Sequence, residues 1–147
     1  MAEPGLLPFF DSMMRQNLVD DNIFAFYMSM NPQVDDSELT FGYYDEHRFV
    51  APLVWHPVID KLFWSLRLND IKIGNQSLGI CHGEEVCMVT PDSGTSLSTM
   101  PKWAYTIFTQ ASYPKNTPCA YGGEQSFGDL VFVINGVDYP IPSHHWN

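Results

Sequence analysis

Residues 130–141 read LVFVINGVDYPI: two runs of alternating character on either side of Asn135-Gly136. Alternation places successive side chains on opposite faces of a strand. Asn-Gly between two such runs is the strongest short-range hairpin signal, because both central residues of a type I′ turn need positive φ. The pattern repeats upstream. IFAFYMSM (23–30), ELTFGYY (38–44), FVAPLVWHPV (49–58) and LFWSLRLNDIKI (62–73) are all strand-like, rich in aromatic and β-branched residues. In the last, Leu62, Trp64, Leu66 and Leu68 are expected on one face, with Phe63, Ser65, Arg67 and Asn69 on the other. NPQVDDS (31–37) is a polar turn, Gly42 a bulge or point of close approach, Gly74-Asn75 a turn, and 76–80 a return strand. Helical spacing occurs twice: FFDSMMRQNLV (9–19), a packing helix, and residues 101–110. In the second, Trp103 and Ile107, and Ala104 and Phe108, fall four apart, with Pro101 in the first turn. Many short strands and few helices predict a mainly-β fold of packed sheets.

The chain has 147 residues, the length of one domain with a sizeable core. A formal charge of −10 argues against a nucleic-acid partner, which would select a basic face. No apolar run approaches a bilayer span, and MAEPGLLPFF lacks the basic start and apolar stretch of a signal peptide. No cofactor motif is present: there is no G-x-S-x-G, H-E-x-x-H or phosphate-cradling glycine loop. Cys81 and Cys87 enclose CHGEEVC, a spacing that a disulfide can close. A zinc reading would recruit His82, His144 or His145, but one short cysteine pair does not supply four ligands, so no metal is expected. His144 and His145 read as exposed loop residues, and Trp55, Trp64 and Trp103 as core or pocket wall. Cys119 is left over. Asn75-Gln76-Ser77 is an N-glycosylation acceptor tripeptide, meaningful only in a secreted chain.

VCMVTPDSGTSLSTMP (86–101) carries the chemistry. One carboxylate, Asp92, follows a mostly apolar run and is surrounded by Ser93, Gly94, Thr95 and Ser96. Such residues are ordinary turn formers, so a surface turn is one reading. A catalytic aspartate held still by hydroxyls is the other. The wider sequence favours the second. PDSGTS with LSTMP behind it resembles the second active-site motif of the pepsin and cathepsin D family of aspartic proteases. NLVDDNIFAFYMS, LTFGYYDEHRF, KLFWSLRLNDIKIG, the CHGEEVC loop and VFVINGVDYPIP resemble further family segments, in order and with similar spacing.

The resemblance implies a mainly-β, pepsin-like C-terminal lobe with short helices over 1–147, incomplete. The N-terminal lobe and the final C-terminal strands of the family pattern are absent. The cysteine carried by those final strands would be the partner of Cys119. It further implies an aspartic endopeptidase of the secretory pathway, lysosomal, vacuolar or extracellular, acting on protein or peptide substrates. The missing N-terminal lobe of the same protein would be its partner. Asp92 would be one of two catalytic aspartates, so the chain would be inactive alone. Thr95 and Gly94 would donate to its carboxylate, and Ser93 would bond across to the other lobe. Ser96 would touch the substrate backbone, and Phe63 and Thr90 would line pockets on the leaving-group side. Cys81 and Cys87 would form the family's small disulfide loop. The hydroxyls are expected because a buried, unassisted carboxylate is costly. The family usually has an aliphatic residue where this chain has Pro91. A non-catalytic pepsin-like peptide-binding protein and a one-lobe protein that pairs with itself are the alternatives.

Overall fold

The computed structural model describes residues 5–31, 33–83, 86–112 and 128–146. Cys119 lies outside them. The chain divides into two compact units, Met1–Trp55 and His56–Asn147.

In the first unit, helix α1 (Phe9–Arg15) precedes an antiparallel pair, β1 (Phe24–Tyr27) and β2 (Glu38–Phe41), in the register Phe24↔Phe41. The helix ends four residues short of the expected Val19. Asn17 takes a left-handed φ of 53°, its N–H bonds to the Met14 carbonyl, and the Leu18 N–H returns to that of Met13, both at 3.1 Å. This double closure satisfies the last orphan carbonyls and turns the chain away. Phe10 packs on Phe24 and Phe41, with ring centroids 5.4 and 5.9 Å away. Gly42 is the expected close approach: a Cβ there would lie 3.1 Å from the Val19 Cβ, and φ is +83°. A 3-10 turn, Glu46–Arg48, follows. Arg48 stacks over the Tyr27 ring at 4.3 Å and donates to Asp35 at 2.6 Å. The Tyr27 hydroxyl donates to the same carboxylate at 2.8 Å.

Residues 49–57 form no strand, contrary to the sequence expectation; only Val58 of that run enters one. Pro52 and Pro57 remove two ladder donors from it.

In the second unit, β4 (Ser65–Ile73) is the hub. It pairs antiparallel with β3 (Val58–Asp60), β5 (Gln76–Ser77), β6 (Met88–Val89) and β7 (Leu130–Ile134), and β7 pairs with β8 (Val137–Ile141). Asn135 and Gly136 join β7 to β8 with φ of 48° and 80°, the two positive values a type I′ turn demands. The return strand expected over 76–80 is confined to β5.

The expected facing of β4 needs correction. Residues 61–64 are a turn in which Trp64 takes φ +57°, and Leu62, Phe63 and Trp64 are exposed. Ser65 and Leu68, expected on opposite faces, are both buried, and a register shift between Leu68 and Asp70 puts Leu68 and Ile71 together in the core. A bulge adds one residue on one strand, so two-residue alternation fails across it.

Helix α2 (Lys102–Ser112) starts where Pro101 accepts from the Tyr105 N–H. Ala104 is buried with Leu68, Ile71, Ile80 and Leu130, and Ile107 and Phe108 pack against them. Trp55, Trp64 and Trp103 are not core: they are 69%, 60% and 56% exposed, in an irregular segment, a left-handed turn and the first turn of α2. His144 and His145 are exposed in a 3-10 turn. Among the described residues, no helix is long and apolar enough to cross a membrane.

Candidate active site

The site is built from the end of β6. This short strand lies against β4 through Leu66↔Val89 and Arg67↔Met88, and Leu68 N–H donates to the Cys87 carbonyl at 3.0 Å. The Cys81–Cys87 disulfide, with Cα atoms 5.4 Å apart, closes the loop that leads into it. The strand stops at Val89, two residues before Pro91. Proline has no N–H for the ladder and holds the preceding residue out of the helical region, so Thr90 leaves the sheet. The Thr90 hydroxyl lies 3.0 Å from that of Ser65, which is 3% exposed. This bond anchors the chain two residues before the carboxylate.

Beyond it, Asp92 is clasped on both oxygens. Oδ1 accepts from the Gly94 N–H and Oδ2 from the Thr95 hydroxyl, each at 2.8 Å. A Cβ on Gly94 would sit 3.2 Å from Oδ1, so glycine gives this carboxylate its room. The Thr95 hydroxyl first, and the Gly94 N–H second, hold the Asp92 carboxyl below the ordinary carboxylate range. Donors aimed at an ionised oxygen favour the charged form.

One expectation is overturned. Asp92 is not buried: it and residues 93–96 are all exposed. The hydroxyl and amide donors therefore fix its rotamer and charge rather than offset desolvation. Ser93 and Ser96 make no hydrogen bond with a described residue. Phe63 is 48% exposed in the turn before β4, two residues ahead of the Ser65 that holds Thr90. Asp92, Gly94 and Thr95 are thus joined directly, and Thr90 is joined to Ser65; among the described residues, no side-chain hydrogen bond links Phe63, Ser93 or Ser96 to them.

Two cavities, of about 300 and about 170 Å³, lie in the first unit, and Asp92 lines neither. The smaller is walled by Tyr27, Thr40, Arg48 and Phe49 among others. The Asp35 carboxyl, bonded to Tyr27 and Arg48 of that wall, is held below its usual range by the Tyr27 hydroxyl and then by Arg48. In the second unit, His56 Nε2 lies 2.5 Å from the Tyr139 hydroxyl and Asn135 Nδ2 lies 3.3 Å from His56 Nδ1. An amide nitrogen only donates, so Nδ1 accepts and Nε2 carries the proton. Sequence reading found none of these polar sets, nor Ser65. Their members lie 8 to 83 residues apart, and no local pattern marks them.

The family model for "Eukaryotic aspartyl protease" matches residues 2–147. Cathepsin E of Cavia porcellus is 37% identical over 145 residues, covering 96% of this chain and 36% of that protein. Cathepsin E of Mus musculus is 41% identical over 146 residues, with the same two coverages. Pepsin A of Suncus murinus is 32% identical over 148 residues, covering 97% of this chain and 37% of that protein. The chain thus spans a little over a third of the length of these relatives. Among solved structures, the aspartic proteinase from Irpex lacteus superposes with a TM-score of 0.71 at 18% identity, covering 92% of this chain and 42% of that one. At that identity the likeness carries the fold alone: mainly β, with two short α-helices, as observed. With all but its first residue matched by one family model, the chain belongs to the eukaryotic aspartyl protease family.

Proposed function

We propose that this chain is a partial C-terminal lobe of a two-lobe aspartic endopeptidase, and that Asp92 is one of its two catalytic aspartates. The observation that carries the reading is the clasp on Asp92, where each carboxylate oxygen receives one donor from the two positions of the DSGT motif. A simple polar turn needs only one such bond.

In the assembled enzyme a second aspartate from the N-terminal lobe of the same protein would face Asp92. Two carboxylates about 3 Å apart cannot both ionise, so the pair shares one proton and titrates as a unit. The ionised member acts as general base on a water between them. The protonated member polarises the carbonyl of the scissile peptide bond. Because its two donors favour the carboxylate, Asp92 is suited to carry the pair's negative charge. Ser93 would bond across to the other lobe, Ser96 would touch the substrate backbone, and Phe63 and Thr90 would flank the leaving-group side. The substrate is protein or peptide. The disulfide supports an oxidising, secretory-route compartment.

A single Asp92 leaves the water and the proton without their second holder. The purified 147-residue chain, incubated with denatured protein at pH on the order of 3 to 5, where a carboxylate pair shares its proton, is expected to show no pepstatin-sensitive cleavage. Robust pepstatin-sensitive cleavage by the chain alone would overturn the two-lobe reading and favour self-pairing.

A further inference from the structure

The β4–β5 turn carries an acceptor tripeptide. Asn75-Gln76-Ser77 is the single Asn-x-Ser/Thr tripeptide without proline in the chain. Its asparagine falls in the two-residue loop that the pair Ile73↔Gln76 closes, and Gln76 and Ser77 form β5 opposite Ile73 and Lys72. Gly74 takes φ +57° and Asn75 does not, which is the pattern of a II′ turn with glycine first. That arrangement sets Asn75 at the crest. Asn75, Gln76 and Ser77 are all exposed, and the Asn75 amide makes no hydrogen bond with a described residue. Ser77 Oγ accepts from the Gly79 N–H at 3.1 Å, which leaves its own proton free. Just before β6, Cys81 is joined to Cys87, six residues on, a bond that persists in the oxidising compartments where asparagine glycosylation takes place.

We propose that Asn75 carries an N-linked glycan. This rests on the secretory-route part of the function proposed above, and not on the catalytic part. The donor is an oligosaccharide linked to a lipid pyrophosphate. Asn75 Nδ2 forms a bond to the anomeric carbon as the bond from that carbon to the pyrophosphate oxygen breaks. The lipid pyrophosphate leaves with the electron pair, and the amide proton passes to a base of the transferase. The acceptor tripeptide is read as the chain emerges, and the folded turn then holds the glycan clear of the sheet.

The test is to express the whole chain behind a cleavable leader in eukaryotic cells and to follow cell-associated and secreted protein on gels. A mobility shift removed by peptide-N-glycosidase F is expected. It should be absent from both Asn75→Gln and Ser77→Ala, and kept or increased in Ser77→Thr, which retains the hydroxyl. Protein that has formed the Cys81–Cys87 disulfide yet shows no glycosidase-sensitive shift would overturn the proposal, as would a shift that persists in Asn75→Gln. Peptidase activity is not read in this experiment, so loss of the catalytic reading leaves its outcome unchanged.

Discussion

The Ser65–Thr90 bond makes a prediction with an asymmetry built into it. Ser65 is 3% exposed and its hydroxyl meets that of Thr90 at 3.0 Å, whereas Thr90 itself is exposed. Thr90→Val keeps the shape of the side chain but strands the buried Ser65 hydroxyl. Leaving a buried polar group without a partner costs about 1–3 kcal/mol. Ser65→Ala removes the buried group instead, and water can then reach the Thr90 hydroxyl, so the loss is that of an ordinary hydrogen bond, about 0.5–1.5 kcal/mol. In the double variant nothing polar is stranded, and its cost should fall below the sum of the two by about 1 kcal/mol. Urea melts of the four proteins, with m-values held constant, measure this directly. In thermal melts each kcal/mol corresponds to a shift of about 4–8 °C for a unit of this size. Equal single costs that add without coupling would refute the reasoning, because they would mean that Ser65 is not dependent on Thr90.

Two further outcomes follow from close geometry. Gly128→Ala places a Cβ 2.8 Å from the Gly74 N and 2.9 Å from its Cα, and Gly74 N–H is already tied to the Asp129 carbonyl at 2.7 Å, so backbone must move; a loss of about 1–3 kcal/mol is expected in urea melts, against little change for Gly83→Ala, where the space is open. Thr95→Val removes the larger of the two causes that depress the Asp92 carboxyl, so its midpoint in a carbon-13 NMR pH titration should rise towards the ordinary aspartate value. The sign for stability follows: a depressed folded pKa contributes above the unfolded value and loses that contribution as pH falls through the folded one, so Thr95→Val should destabilise at neutral pH and approach the parent in acid. An unmoved midpoint would contradict the clasp.

Local chemistry was legible in the sequence wherever one short segment sets its own conformation. Asn135-Gly136 takes the two positive φ values its residue types favour, Gly42 makes its close approach, and Ala104 with Phe108 turns the inner face of α2 to the core. What failed depended on distant partners or on a single irregular residue. Leu62 to Leu68 alternates well on paper, but the left-handed Trp64 and the register shift at Leu68 break the period and exchange Ser65 for Trp64 inside. Aromatic content made 49–58 look like a strand, yet two prolines without N–H groups leave it irregular. At the candidate site, the motif named Asp92, Gly94 and Thr95 because all three lie within four positions. It gave no sign of Ser65, 25 residues from Thr90, nor of His56, 79 and 83 residues from Asn135 and Tyr139.

The central claim is that Asp92 is half of a proton-sharing pair, and the turnover of Asp92→Asn in the two-lobe enzyme proposed above tests it most directly. Asparagine keeps the size of the side chain and can still accept from Gly94 and Thr95, so folding and substrate affinity should change little. It cannot ionise, so the pair can no longer hold the proton and activate the water. The account predicts a kcat lower by about 10²–10⁴-fold or more, the range that a positioned acid or base contributes, with KM nearly unchanged. A variant that retains most of its kcat at acid pH would show that PDSGTS is a hydroxyl-rich turn and that Asp92 takes no part in the chemistry.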